Sequence, residues 1–134
     1  MFESSRGAAR VPVRIEPAVW QDEVERFDEH SAARSAAERE RLGLETEGIS
    51  RGLLERCADE APDRTRLRGW VKAYVPLREA PASERPFGFV FRPAADNGGL
   101  VLVLMAFGER HPRSGTRSVY ERAHKRRYGR YPDR

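Results

Sequence analysis

Eight apolar residues in a row, Leu100 to Phe107, follow directly on the quartet Asp96-Asn97-Gly98-Gly99. The run is far below the roughly 18 apolar residues that a membrane-spanning helix needs, and a strand this apolar is buried. The quartet supplies residues that tolerate positive φ, so it forms a hairpin turn and makes Phe87–Phe91 the antiparallel neighbour of the run. Polar residues after the run, Gly108-Glu109-Arg110-His111 and then Ser118 to Arg127, are therefore held at the end of a rigid platform.

The rest of the chain reads around that strand. Residues 1–9 are expected to be a disordered leader. Arg10 to Glu16 alternates, with Val11, Val13 and Ile15 on one side, as a half-buried strand does. Pro12 lacks an N–H and suits an edge. Pro17 opens a helix, with Trp20, Val24 and Phe27 at i, i+4, i+7. Ser31 to Arg41 is alanine-rich and contains a capping-box pattern, Ser35-x-x-Glu38, and Gly43 and Gly48 read as breaks. A further helix is expected over 49–58, with Ile49, Leu53, Leu54, Cys57 and Ala58 on one face and Pro62 closing it. Leu67 to Val75 and Phe87 to Phe91 read as strands, and Tyr120 to Arg127 as a short basic helix ended by Gly129 and Pro132.

The expected fold is a small α+β domain over 10–128. An N-terminal strand and two to three helices precede a three-stranded antiparallel section and a C-terminal basic helix. The helices lie on one face of the sheet, and residues 129–134 form a flexible basic tail.

Composition narrows the function. Charged residues make up 34% and apolar ones 39%, polar for a globular domain but above the disordered class. The start, MFESSRGAAR, has no apolar signal-peptide core, and the single Cys57 cannot form an internal disulfide, so the chain reads as cytoplasmic. The net charge of +4 is uneven. Residues 110–134 carry nine Lys and Arg against two acids, net +7, whereas residues 1–109 carry net −3. A basic end on a mildly acidic body points to a polyanion bound at one place, or to a solvated tail. Zinc-ligand spacing and a phosphate-cradling Gly-rich loop are both absent from the sequence, so no metal or cofactor is expected.

Three stretches give the chain a resemblance to the RelE/ParE toxin superfamily, and to RelE-type messenger-RNA interferases in particular. They are Val13-Arg14-Ile15-Glu16 with the helix around Trp20, then Arg66 to Tyr74, and then Leu100 to Arg110 with Ser118 to Arg126. The last is the most specific, combining a buried strand, a Gly-x-Arg exit and a Val-Tyr start to a basic helix. The resemblance implies the toxin of a type II toxin–antitoxin pair, a metal-independent endoribonuclease that cleaves mRNA at the ribosome by 2′-hydroxyl attack. It also implies a cognate antitoxin whose acidic or apolar segment covers the basic helix or replaces it on the sheet.

By position, Lys72 stands for a strand lysine, Arg110 for the strand-exit arginine and Tyr120 for the helix-start tyrosine. His111 and His124 are further candidates for proton transfer. Arg68, Arg113, Arg117, Lys125, Arg126 and Arg127 are candidates for holding RNA phosphates. Two positions depart from the family: its second strand lysine falls on Tyr74, and its central-strand arginine falls on Gly88, with Arg85 or Arg92 as possible substitutes. That departure leaves open a non-cleaving ParE-like or divergent RelE-fold protein that acts by binding, or a basic nucleic-acid-binding module. Each residue also has a plain structural reading. Arg110 can pair with Glu79, Glu84 or Glu109, Tyr120 can anchor its helix, and Lys72 can sit on a solvated face.

Overall fold

The computed structural model describes residues 9–78, 85–113 and 115–133. The leader up to residue 8, Glu79, Glu84 and Arg134 lie outside the described residues. In chain order the elements are β1 (Arg10–Val11), β2 (Val13–Arg14), α1 (Pro17–Glu23), α2 (Ala32–Glu47) and β3 (Ile49–Ser50). A 3-10 turn (Arg51–Leu53) follows, then β4 (Glu55–Arg56), β5 (Val71–Val75), β6 (Phe87–Asp96), β7 (Gly99–Glu109) and α3 (Val119–Tyr128). The strands β2-β7-β6-β5-β4 form one mixed sheet in that order, with only the β2–β7 pair parallel. β1 and β3 form a separate two-stranded ribbon.

The hairpin forms where the quartet places it: Asp96 pairs with Gly99, and the Gly98 amide donates to Asp96 Oδ1 at 2.9 Å. β7 lies between β2 and β6, the interior position its apolar run demands. Leu102, Leu104 and Phe107 pack with Trp20, Val24 and the alanines of α2, while Ala106 faces Val119 and Ala123 of α3. Helices therefore cover both faces of the sheet, not one. A buried strand with no polar alternation needs that double cover.

A β-bulge interrupts the β6–β7 ladder. Val90 opposes Ala106 but Phe91 opposes Leu104, which leaves Met105 as the extra residue. Side chains alternate strictly along a strand, so one added residue exchanges the faces of everything after it. Phe107 consequently joins Leu104 in the α1 and α2 core, and Gly108 and Arg110 turn to the face that carries α3.

Among the described residues no strand pairs β7 beyond Val103 on its β2 side, since β2 reaches only Leu102 and Val103. Two side chains from the α1 region fill the gap at Phe107. Glu23 Oε1 accepts from the Phe107 amide at 3.1 Å, and Arg26 Nη2 donates to the Phe107 carbonyl at 2.9 Å. Glu23 is 2% exposed and also receives Arg122 Nε and Nη2, each at 2.9 Å, and Arg126 Nη2 at 3.1 Å.

Several elements differ from the sequence expectation. No helix forms over 49–58. Gly48 has φ +74°, and a Cβ there would overlap the Val11 carbonyl, so the chain turns sharply and Ile49 pairs with Val11. Ser50 then accepts from the Gly52 amide and starts a 3-10 turn, leaving Leu53 65% exposed. Gly43 does not break α2, and the helix is capped by Ser31, which accepts from the Arg34 amide, with no role for Ser35. Residues 67–70 form a turn before β5, through Trp70 N to Leu67 O at 2.9 Å, and tuck Leu67 and Trp70 beneath α3.

Glu23→Ala removes the acceptor shared by two guanidiniums and the buried Phe107 N–H, leaving the guanidiniums only their contacts to Asp22. It is expected to destabilise the fold by about 3–5 kcal/mol, read as a lower urea midpoint at unchanged slope. Arg122→Ala should cost less, because Arg126 remains on the carboxylate.

Candidate functional site

On the α3 face of the sheet, Tyr74 of β5, Gly88 of β6 and Gly108 of β7 stand in one cross-strand row. Arg110 leaves β7 one pleat further on, held to β6 by its amide bond to the Pro86 carbonyl at 2.8 Å. Its stem lies across Gly88, where an added Cβ would meet Arg110 Cγ at 3.6 Å. The small row lets the guanidinium reach the Tyr74 ring, with Cζ 4.3 Å from the centroid. Arg110 Nε donates to Tyr120 Oη at 3.0 Å, and Nη1 donates to the Arg85 carbonyl at 3.0 Å.

Tyr120 is placed by the start of α3. The Ser118 hydroxyl accepts from the Glu121 amide and the Glu121 carboxylate accepts from the Ser118 amide, both at 3.0 Å. This reciprocal cap fixes where the helix begins. Val119 is then fully buried against the sheet, and Tyr120 lies over its edge. Lys72 Nζ sits 5.0 Å from the Tyr120 ring centroid, and the His111 ring 6.5 Å from it.

The segment 57–66 makes the opposite wall. Cys57 N bonds the Trp70 carbonyl, Ala61 N the Thr65 carbonyl, and both Thr65 N and Oγ1 donate to Asp63 Oδ1. Arg64 adopts φ +68°, an unusual conformation for a residue with a side chain. The result is a cleft of about 350 Å³ with Ala58, Ala61 and Pro62 on one side and Lys72, Arg110, His111 and Tyr120 on the other. A second hollow of about 490 Å³ adjoins it across Arg110 and His111 and is lined in part by Arg64, Arg113 and Thr116.

Four of the five residues expected to be reactive thus share one cleft. His124 does not join them. It is 6% exposed, its Nδ1 accepts from the Arg66 amide at 3.1 Å, and its ring lies 4.6 Å from that of Tyr128. Burial, with Arg130 and Arg66 adding to it, holds its pKa below the ordinary value. A neutral histidine accepting a backbone N–H pins the 57–66 segment to α3 and is not poised for proton transfer.

The expected phosphate contacts also divide. Arg113 lies beside Arg110. Arg126 is committed to Asp22 and Glu23, and Arg117 to Glu121 at 3.1 Å. Arg127 donates to the Arg68 carbonyl and lies over the Trp70 ring, Arg68 faces Asp59 at 3.7 Å, and Lys125 lies over Tyr131. Glu109, an expected partner of Arg110, is on the other face because of the bulge.

In the sequence Tyr74 stands out only as a departure from the family the chain resembles. The structure makes it the platform for two guanidiniums, Arg110 and Arg85. Its hydroxyl donates to Glu55 at 2.9 Å, and burial together with that bond raises its pKa. The alternation of Lys72 and Tyr74 on one side of β5 was the available signal. Cys57 is buried with Leu67 and Trp70, and burial pushes its thiol to about 11, far from a reactive thiolate.

Among the described residues no group of three or more His, Cys, Asp or Glu side chains could hold a metal ion, and no helix is long and apolar enough to cross a membrane. No family model, curated protein or solved structure matches the chain.

The His124 tie makes stability depend on pH. The folded state holds His124 below its ordinary value of 6.5, so the unfolded chain binds the proton more readily. Stability is whole above that value and falls as pH drops through the lowered folded pKa. Thermal denaturation followed across mildly acidic pH should show the loss. His124→Asn, which keeps an acceptor for Arg66 N, should flatten that part of the profile.

Proposed function

We propose that this chain is a RelE-like toxin: a metal-independent endoribonuclease that cleaves mRNA at the ribosome and is restrained by an antitoxin. The observation that carries the reading is the convergence of Lys72 from β5, Arg110 and His111 from the β7 exit, and Tyr120 from α3 on one cleft. The strand-exit and helix-start residues that the resemblance singles out are joined there by the Nε to Oη hydrogen bond.

The reaction assigns each group a task. His111, or a water it holds, takes the proton of the ribose 2′-hydroxyl as that oxygen attacks the adjacent phosphorus. Lys72 and Arg110 carry the charge that gathers on the phosphoryl oxygens. Tyr120 Oη, oriented by the hydrogen bond it accepts from Arg110 Nε, gives its own proton to the departing 5′ oxygen. The bond from phosphorus to that oxygen breaks, leaving a 2′,3′-cyclic phosphate and a new 5′-hydroxyl end.

A second reading is binding without cleavage, and a specific observation favours it. Gly88 occupies the place of a family arginine, and Arg110, whose stem covers that place, spends two of its donor groups on Tyr120 and the Arg85 carbonyl. Fewer donors then remain for the phosphate.

Expression of the chain alone should arrest growth, and mRNA on purified ribosomes should acquire new 5′-hydroxyl ends. Arg110→Ala should lower cleavage about 10²–10³-fold. Tyr120→Phe, which keeps the ring but removes the proton, should lower it about 10²–10⁴-fold. Binding to ribosomes or RNA without new ends selects the second reading, and unimpaired growth with intact message removes both toxin readings.

A further inference from the structure

α3 has a second charged flank. At 3.6 residues per turn, Tyr120, His124 and Arg127 share one side of the helix, and Arg122, Lys125 and Arg126 take the other. That second side borders a hollow of about 490 Å³, completed by Arg26 and Tyr131 with Asp22 and Glu23 at its base. None of its lining residues belongs to the cleft around Tyr120.

The charges there do not cancel. Arg26, Arg122, Lys125 and Arg126 face two carboxylates, leaving two positive charges in excess. The Tyr131 ring lies between two cations, with Arg117 Cζ, itself paired with Glu121, 4.1 Å from its centroid and Lys125 Nζ at 4.7 Å. Holding α3 to α1 does not need this many cations, because Arg122 alone already engages both oxygens of Glu23. Arg126 Nε is buried and has no hydrogen-bond partner among the described residues. Burial, and after it Arg122, lowers the pKa of Arg26, whereas the bonds to Glu23 raise that of Arg122.

We propose that this hollow binds a phosphate group, with Lys125, Arg126, Arg26 and Arg122 around its oxygens beside the Tyr131 ring. A doubly charged phosphate matches the excess, and guanidinium forks match its oxygens. The phosphate comes either from a free phosphate monoester or from a nucleic-acid backbone that crosses α3. The inference is independent of the nuclease reading, since it concerns the other side of the helix.

The test titrates the full chain with inorganic phosphate at constant ionic strength and follows backbone amide shifts by NMR. A second titration uses a short single-stranded oligonucleotide without terminal phosphates. Saturable phosphate-induced shifts are expected at residues 122–131. Lys125→Glu, an exposed substitution, should weaken phosphate binding by about tenfold or more, a loss of about 1.4 kcal/mol. In Arg110→Ala the phosphate affinity read from the shifts of residues 122–131 should match that of the unsubstituted chain, since Arg110 does not line this hollow. Displacement of the oligonucleotide by phosphate assigns the site to backbone phosphate, and phosphate binding that the oligonucleotide does not contest assigns it to a free monoester. Shifts that fail to saturate, or that are equal in Lys125→Glu, overturn the proposal.

Discussion

A single buried carboxylate joins the parts of this molecule that matter most. Glu23 ends α1, completes the backbone pairing of β7 at Phe107 and receives two arginines from α3. A carboxylate that is 2% exposed is tolerable only when its oxygens are filled by charge-assisted bonds, and all its acceptor positions face donors here. The first helix, the central strand and the last helix are thereby fixed relative to one another. Tyr120 and Arg110 depend on that frame, since one begins the helix and the other leaves the strand.

The bulge at Met105 decides which side of the sheet receives Arg110. With strict alternation from Leu104, Arg110 would point into the space occupied by α1 and α2, and Glu109 would take the α3 face. The extra residue reverses both, and it also brings Phe107 back to the ring cluster with Phe27 and Phe87. Nothing in Leu100 to Phe107 marks the place, because every residue in the run is apolar and suits either face. Sequence patterning locates the strand and its exit but not the direction of the exit.

Legibility followed the strength of local chemistry. The Asn97-Gly98 turn and Pro17 at the first helical position lie where the sequence puts them, because each is satisfied within a few residues of itself. The apolar spacing of residues 49–58 fits a helix. A tertiary requirement, the close passage of Gly48 over Val11, overrode that spacing. The resemblance singles out Lys72, Arg110 and Tyr120, and His111 adjoins Arg110 in the sequence. Nothing in the sequence marks the wall of residues 57–66, because it is held by backbone bonds and by His124, which sequence alone recommends for chemistry.

The same ties bear on how an antitoxin would act in the proposed reading. Replacing α3 on the sheet would expose Val119 and Ala123, which are fully buried, and break the arginine bonds to Glu23 and the His124 bond to Arg66 N. It would also leave the Glu23 carboxylate facing an apolar strand with its charge unpaired. Covering the helix incurs none of these losses. Lys125 and Arg113 are exposed, and the cleft beside Tyr120 has an apolar side formed by Ala58, Ala61 and Pro62. An acidic segment with a small apolar anchor could therefore lie along α3 and close the cleft while the helix stays docked. Of the two modes, covering demands the smaller rearrangement of this fold.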